Sequence, residues 1–351
     1  MNSNIGISAI GIAVPNFYMN LSELSEAHGK DKDYYTKHLG TNKMALCFND
    51  ENVITLASKA INKALSYWDG DIKNIGLFAA ATESATDHAR PITGWIADEI
   101  NLKGAYRSYE VKNACNAGSI AIKQAVEWLY TNDDGKAALV VATDICLYEI
   151  NSKGEPTQGA GAIAFIITRN PTLAKISTKS FSYTDNITDF YRPIEAKFPI
   201  VQSRKSIMAY TNLLLKCYQN LHEDIDTYDA LCMHMPCPQM AISSFRMVAK
   251  NIGMQSSEKI IRDKIAPYCN WNSQIGNSYT ASLWINIACA INAGANNILA
   301  YSYGSGCAAE MISLSNKNNP NTYWAKEIIK DLDSRKPLNY SDYIKLRAID
   351  A

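Results

Sequence analysis

Arg107-Ser-Tyr-Glu-Val-Lys-Asn-Ala-Cys-Asn-Ala-Gly-Ser119 changes its spacing in mid-course: an extended run stops and a helical pattern begins. A thiol at such a junction, here Cys115, points off a strand end into a helix N-terminus. The unpaired N–H groups and the dipole of the helix favour the thiolate there. Settings of this kind lower a cysteine pKa from about 8.5 into a range of roughly 3.5–7.5. Ala114, Ala117, Gly118 and Ser119 are small and leave room for an acyl group to approach. The alternative is a buried structural cysteine packed at a tight turn, because free Cys is commonly buried and inert.

Outward from that junction the first half alternates strands and helices. Apolar runs at 5–12, 75–82, 106–113, 137–144 and 161–168 read as strands, and helical spacing covers 51–68, 94–100 and 115–130. Continuous apolar strands between helices are buried on both faces, which makes this an α/β chain. The second half repeats the order. Strands are expected at 176–184, 230–235, 297–303 and 306–313, and helices at 203–220, 238–251 and 280–293. Two halves of like order, 1–170 and 171–351, suggest a structural duplication, with the boundary in the polar stretch Arg169–Thr178. The tail after Ser315 is polar and expected to cover the surface.

The 351 residues suffice for a sizeable core, with 47% hydrophobic and 19% charged residues. Basic and acidic residues balance at 34 each, and there is no long basic run, which argues against nucleic acid as a partner. Nine cysteines without paired spacing suit reduced thiols and a cytoplasmic location better than a disulfide framework. No signal peptide is read at the N-terminus, and no apolar run reaches the ~18 residues of a membrane span.

Four further positions carry chemistry-bearing side chains at element ends. Glu83 follows an apolar strand, where open α/β sheets place functional groups; partial burial would raise its pKa and suit it to proton transfer. A loop or capping acid is the plain alternative. His234 ends another apolar strand, whereas His28, His38, His88 and His222 have polar neighbours; a satisfied core histidine is its alternative. Asn277 precedes an apolar helix and suits either a helix cap or an oxyanion donor. Ser305 lies in a glycine-bounded turn whose N–H groups suit a hairpin or a thioester oxygen. Cys232, His234 and Cys237 invite a metal site, but no fourth ligand follows at a usual spacing. Taken together, cysteine suits acyl capture, glutamate suits removal of a proton α to a thioester, and histidine and asparagine suit carbonyl polarisation.

With these motifs in order over about residues 5–313, the chain resembles the 3-hydroxy-3-methylglutaryl-CoA synthase family of thiolase-like condensing enzymes. The resemblance rests on Leu39-Gly-Thr-Asn-Lys-Met44, Ala81-Thr-Glu-Ser-Ala-Thr-Asp87, Asn113-Ala-Cys-Asn-Ala-Gly118 and Glu155-Pro-Thr-Gln-Gly-Ala-Gly-Ala162. It continues through Asp189-Phe-Tyr-Arg-Pro193, His234-Met-Pro236, Gly276-Asn-Ser-Tyr-Thr280 and Tyr303-Gly-Ser-Gly306. It implies a five-layered αβαβα fold, a homodimer, and condensation of acetyl-CoA with acetoacetyl-CoA, with no cofactor beyond these substrates and no metal. By the same resemblance Cys115 receives the acetyl group, Glu83 is the base, and His234 and Asn277 hold the second substrate. The Cys115 N–H and the Ser305 turn serve the acyl oxyanion, and Tyr148 lines the acyl pocket.

The chain departs from the family pattern at Asn116, where tyrosine is common, and at Cys237 and Gln239, where phenylalanine and lysine are usual. The missing lysine removes a positive charge expected near CoA phosphates, so the phosphopantetheine arm of an acyl carrier protein is a second candidate carrier. A decarboxylating Claisen enzyme and a catalytically silent scaffold are the competing readings; Glu83 separates the first, because decarboxylation itself generates the carbanion and needs no such base.

Overall fold

Apolar runs that hide both faces can only be satisfied between two layers of helices. The computed structural model describes residues 4–48, 50–84, 86–132, 134–316 and 322–349. Its large sheet is built from β1 (Ile5–Ala13), β2 (Ile75–Ala81), β3 (Arg107–Val111), β4 (Ala137–Cys146), β5 (Gly159–Arg169), β6 (Ala174–Ile187), β7 (Ala230–Met233), β8 (Asn297–Gly304) and β9 (Gly306–Asn316). The order across it is β7-β8-β9-β6-β1-β5-β4-β2-β3. Only Gly6↔Lys175 and Ile7↔Ala174 join β1 to β6, so two strand sets meet along a short seam.

The two sets have the same logic. In the first, β1 pairs antiparallel with β5, β5 antiparallel with β4, and β4 parallel with β2. In the second, β6 pairs antiparallel with β9, β9 antiparallel with β8, and β8 parallel with β7. The helices follow suit: α1 (Val53–Ser66), α2 (Thr93–Glu99) and α3 (Ala117–Thr131) in the first half, α4 (Ser203–Leu221), α5 (Pro238–Asn251) and α6 (Ser282–Asn292) in the second. Among the described residues β3 has no counterpart; short helical turns between 257 and 275 occupy that part of the second half.

Side-chain alternation along the strands generates five layers. From β4, Leu139 and Val141 face α1 and α2, whereas Ala138 and Val140 face the middle. From β8, Leu299 and Tyr301 face α4 and α5, whereas Ile298 and Ala300 face the middle. The middle layer holds α3 and α6. Ser282 to Ile291 of α6 are all buried, as expected of a helix that is apolar all round. Gly118 is required where the two helices approach, because a Cβ there would lie 2.6 Å from the Thr280 carbonyl oxygen. Trp284 fills the same seam, edge-on to Phe165 at 5.4 Å, and its Nε1 donates to Ser119 Oγ at 3.1 Å.

The tail departs from expectation. Residues 317–321 lie outside the described residues, but beyond them α7 (Tyr323–Ser334) inserts Trp324, Ile328 and Leu332 into the middle core. These residues recur every four positions, so the polar composition conceals one apolar stripe. α8 (Tyr340–Ile349) likewise buries Tyr343 and Leu346. Smaller adjustments concern ends: the β7 run stops at Met233, and the helix expected from Cys115 starts at Ala117. No helix among the described residues is long and apolar enough to cross a membrane.

Trp284→Ala should remove packing from the seam between the halves. The expected loss is about 3–5 kcal/mol, read as a lower urea midpoint with an unchanged slope.

Candidate active site

Parallel strands direct their carboxyl ends to one rim, and the loops beyond them are free to carry chemistry. The ends of β2 and β7, the approaches to α3 and α6, and the β8–β9 turn converge on a cavity of about 350 Å³. Cys115, Tyr148, His234, Asn277 and Ser305 all line it. Glu83 stands behind Cys115 and is hydrogen-bonded to it. The six residues singled out in the sequence are therefore brought together, from segments separated by as many as 222 positions.

The local backbone explains the exposure of the sulfur to this cavity. Ala114 sits in the left-handed region at φ 46°, which costs a non-glycine residue roughly 1–2 kcal/mol. That kink turns the chain from β3 into α3 and leaves Cys115 two residues before the helix. The β8–β9 turn lies directly on this loop: a Cβ on Gly304 would meet the Asn113 carbonyl at 2.4 Å. Asn116 is tied to the same turn, its Oδ1 accepting from Ser302 Oγ at 2.5 Å, and Ser302 accepts from Ser119 Oγ at 2.8 Å.

Contrary to the thiolate expected from the helix dipole, Cys115 is held as a thiol. Burial, and then the Glu83 carboxyl beside it, push its pKa well above the ordinary value. Burial likewise drives Glu83 up to about 8, with the Asp144 carboxylate adding to the rise and the Cys115 hydrogen bond and Arg192 opposing it. One Glu83 oxygen, Oε1, is buried without a partner. A dipole acting over one helix turn cannot offset a low-polarity pocket shared with a carboxyl group.

Asp144, not singled out in the sequence, is the anchor. It is wholly buried, and its Oδ1 accepts from Thr82 Oγ1, the Glu83 N–H, the Ser84 N–H and Ser84 Oγ at 2.7–2.9 Å. Its Oδ2 accepts from the Thr280 N–H at 3.0 Å and Thr280 Oγ1 at 2.5 Å. It thus fixes the Glu83 loop of one half against the α6 approach of the other.

His234 is buried, and its pKa is lowered to about 3 by that burial, so the ring is neutral at physiological pH. Its Nδ1 has no protein partner. Its backbone is clamped, the N–H donating to the Tyr301 carbonyl at 2.8 Å and the carbonyl accepting from Tyr210 Oη at 2.6 Å. Asn277 does not cap α6, whose N-cap is Ala281; its Oδ1 accepts from the Tyr279 N–H at 2.9 Å, and the residue lines the cavity. Tyr148, Tyr279 and Cys146 enclose Cys115 on its inner side, with Phe190 packed against them. Cys232 instead faces the middle core. Among the described residues no cluster of three or more His, Cys, Asp or Glu side chains is placed to hold a metal ion.

Family models for the hydroxymethylglutaryl-coenzyme A synthase N terminal and C terminal regions match residues 1–172 and 243–348. The chain belongs to the hydroxymethylglutaryl-CoA synthase family. The hydroxymethylglutaryl-CoA synthase of Enterococcus faecalis is 28% identical over 350 residues, covering 97% of this chain and 90% of that one. Among solved structures, MvaS in complex with 3-hydroxy-3-methylglutaryl coenzyme A matches with a TM-score of 0.89 at 28% identity, over 99% of this chain and 92% of that one. The curacin biosynthetic pathway HMG synthase in complex with acetyl donor-ACP shares the fold, with a TM-score of 0.91 at 23% identity over 97% and 88% of the two chains. Membership places the chain among acyltransferases that form carbon–carbon bonds.

Within this family frame, the C-terminal helix supports the site in a way the sequence reading missed. Arg347 of α8 donates to the Tyr148 carbonyl and to Gln158 Oε1, both at 2.7 Å. Gln158 Oε1 also accepts from the Tyr148 N–H, and Tyr343 Oη donates to the buried Glu155 at 2.7 Å. Asp189 pins the opposite wall: its carboxylate accepts from Tyr303 Oη, the Gly306 N–H and Ser206 Oγ at 2.9–3.1 Å. It opens a short hairpin in which Phe190–Tyr191 pair with Ile200–Val201. From that hairpin Arg192 donates to the Glu83 carbonyl at 2.7 Å.

Asp144→Asn should lower the Glu83 pKa below about 8, because it removes a negative charge that raises it. Carboxyl carbon-13 chemical shifts of labelled glutamate, followed against pH in both proteins, check the direction.

Proposed function

We propose that this protein condenses an acetyl thioester with acetoacetyl-CoA, or a related β-ketoacyl thioester, through an acetyl-Cys115 intermediate. The hydrogen-bonded pair of Glu83 and Cys115 at the inner end of the cavity carries this reading. In the first step Cys115 Sγ attacks the acetyl carbon, and the thiol proton ends on the departing carrier sulfur. One thioester replaces another, so no net proton is consumed. The Cys115 N–H and the Ser305 turn face the oxygen that gains charge.

Ionised Glu83 then removes a proton from the acetyl methyl group. The carbanion attacks the β-carbonyl carbon of the second thioester, and protonated Glu83 returns its proton to the new alkoxide. His234, kept neutral by burial, and Asn277 Nδ2 donate hydrogen bonds to the carbonyl oxygens of that substrate. Water finally cleaves the Cys115 thioester, which frees the carboxylate product and restores the thiol. A decarboxylating Claisen route leaves Glu83 without a step, which weighs against it.

The same reading extends to setting and assembly. The product, a tertiary alcohol with a new carboxymethyl branch, serves mevalonate formation or β-branching of a polyketide chain. Nine free cysteines accord with a reducing, cytoplasmic location. β3 ends the large sheet and has exposed residues at its start, an edge suited to pairing with a second copy in a homodimer.

Intact-mass spectrometry after incubation with acetyl-CoA or an acetyl-carrier protein should show one added acetyl group, absent from Cys115→Ala. Glu83→Ala should keep most of the acetylation rate and lose about 10²–10⁴-fold in condensation. Normal condensation in that variant would remove Glu83 as the base. The pH profile has a defined sign: Glu83 acts only when ionised, and with a pKa of about 8 it is mostly protonated at pH 7. Single-turnover condensation from preformed acetyl-enzyme, in which Glu83 lacks the thiol donor that lowers its pKa, should therefore rise by at least about ten-fold between pH 7 and 9.

A further inference from the structure

The backbone of Glu83 is gripped on both sides by opposite charges. Its N–H donates to the buried Asp144 carboxylate at 2.7 Å, and its carbonyl accepts from Arg192 Nη2 at 2.7 Å. The first grip belongs to the seam between the halves. The second comes from outside the large sheet, from an exposed arginine on the hairpin at 190–201, and none of the condensation steps involves it.

Asp189-Phe-Tyr-Arg-Pro193 brings that arginine to the base in a simple way. Asp189 is fully buried and fixes the root of the hairpin to Tyr303 Oη and the Gly306 N–H. Extended residues point alternately to opposite faces, and a residue before proline is confined to extended backbone. Phe190 and Arg192 therefore share one face, and Tyr191 takes the other, where it is exposed. Phe190 packs edge-on against Tyr148 at 6.5 Å and against Tyr279 at 5.9 Å. Arg192 continues the same face to the Glu83 loop. A turn at 193–196, closed by the Ala196 N–H on the Pro193 carbonyl at 2.9 Å, then sends the chain back.

The electrical surroundings of Glu83 are lopsided. Cys115, Asp144 and Arg192 act on it, and it acts in turn on Cys146, Tyr148 and Tyr279. Arg192 is the only cation of this set. Burial and Asp144 raise the Glu83 pKa, whereas the Cys115 hydrogen bond and Arg192 lower it. Acetylation of Cys115 removes the first of the two lowering influences and leaves the second. Among the described residues no carboxylate forms an ion pair with Arg192, so its charge is not cancelled locally. Water screens an exposed guanidinium, which keeps its effect modest.

We propose that Arg192 is a positioning residue for the base: it ties the Phe190 hairpin to the Glu83 loop and keeps a positive charge beside the carboxyl group while Cys115 carries its acyl group. The proposal rests on the condensing function argued above. Seating of the hairpin against the cavity and readiness of the base are thereby linked, because one side chain serves both. A plain surface contact would leave the chemistry of Glu83 untouched.

Arg192→Gln and Arg192→Lys separate charge from mere contact. Carbon-13 titration of labelled glutamate in the resting enzyme, with the Glu83 signal assigned by its loss in Glu83→Gln, reads the base directly. The midpoint in Arg192→Gln should lie above the wild-type value of about 8, and Arg192→Lys should bring it back. Single-turnover condensation from preformed acetyl-enzyme should fall about three- to ten-fold at pH 7 in Arg192→Gln, with the deficit closing towards pH 10 and most of it recovered in Arg192→Lys. Acetylation of Cys115 should stay within about two-fold, because that step does not use the base. An unmoved midpoint in Arg192→Gln overturns the proposal, as does a loss that is equal at every pH or as large in acetylation as in condensation. If the wild-type enzyme is acetylated but never condenses, the condensing reading fails by itself, and the titration alone then supports or overturns the action of Arg192 on Glu83.

Discussion

A single buried carboxylate, Asp144, holds the two halves in catalytic register. It stands near the end of β4 and takes hydrogen bonds from the Glu83 loop with one oxygen and from Thr280 with the other. Burial raises its pKa, and those hydrogen bonds oppose the rise. An acceptor so placed is costly to leave unsatisfied, and only one arrangement of the two halves satisfies it. The position of the base relative to the thiol is therefore set by the same contact that closes the seam between the halves.

The duplicated architecture explains why such a contact exists at all. Each half directs a helix into the middle layer, α3 from one and α6 from the other, and each helix arrives beside the carboxyl end of a parallel strand. Opposed in the middle layer, the two approaches bring the Cys115 thiol of one side to the same cavity as His234 and Asn277 of the other. Neither half contains the site by itself: Cys115 and Glu83 belong to the first, His234, Asn277 and Ser305 to the second. A cavity at a seam between repeats is enclosed by both, which is how a pocket with buried side chains forms near the surface.

Element order was legible because strands buried on both faces are long apolar runs; Cys115, Glu83, His234, Asn277 and Ser305 were legible because each stands at an element end, and Tyr148 only through the family resemblance. Asp144, inside β4, leaves no local signal; its meaning lies in donors drawn from residues 82–84 and 280. The tail was read as surface from its composition, although Trp324, Ile328 and Leu332 keep a helical spacing. Arg347, far along the chain from Tyr148, leaves no local signal. The thiolate expected at Cys115 was the larger error, and it is instructive: a sequence reveals a helix start, but not the carboxyl group that folding places against the sulfur.

Burial moves Glu83, Cys115 and His234 in opposite directions and favours the uncharged form of each. Glu83 is pushed up, Cys115 is pushed up, and His234 is pushed down. A neutral resting site resists charge equally in substrate and in protein, so any charge that develops is felt strongly by the few dipoles aimed at it. Acetylation of Cys115 removes the S–H donor that holds Glu83 down, while desolvation and Asp144 remain. The base then becomes harder to ionise and, once ionised, stronger, which suits removal of a proton from carbon far better than a freely ionised carboxylate would. The geometry thus ties base strength to acyl loading.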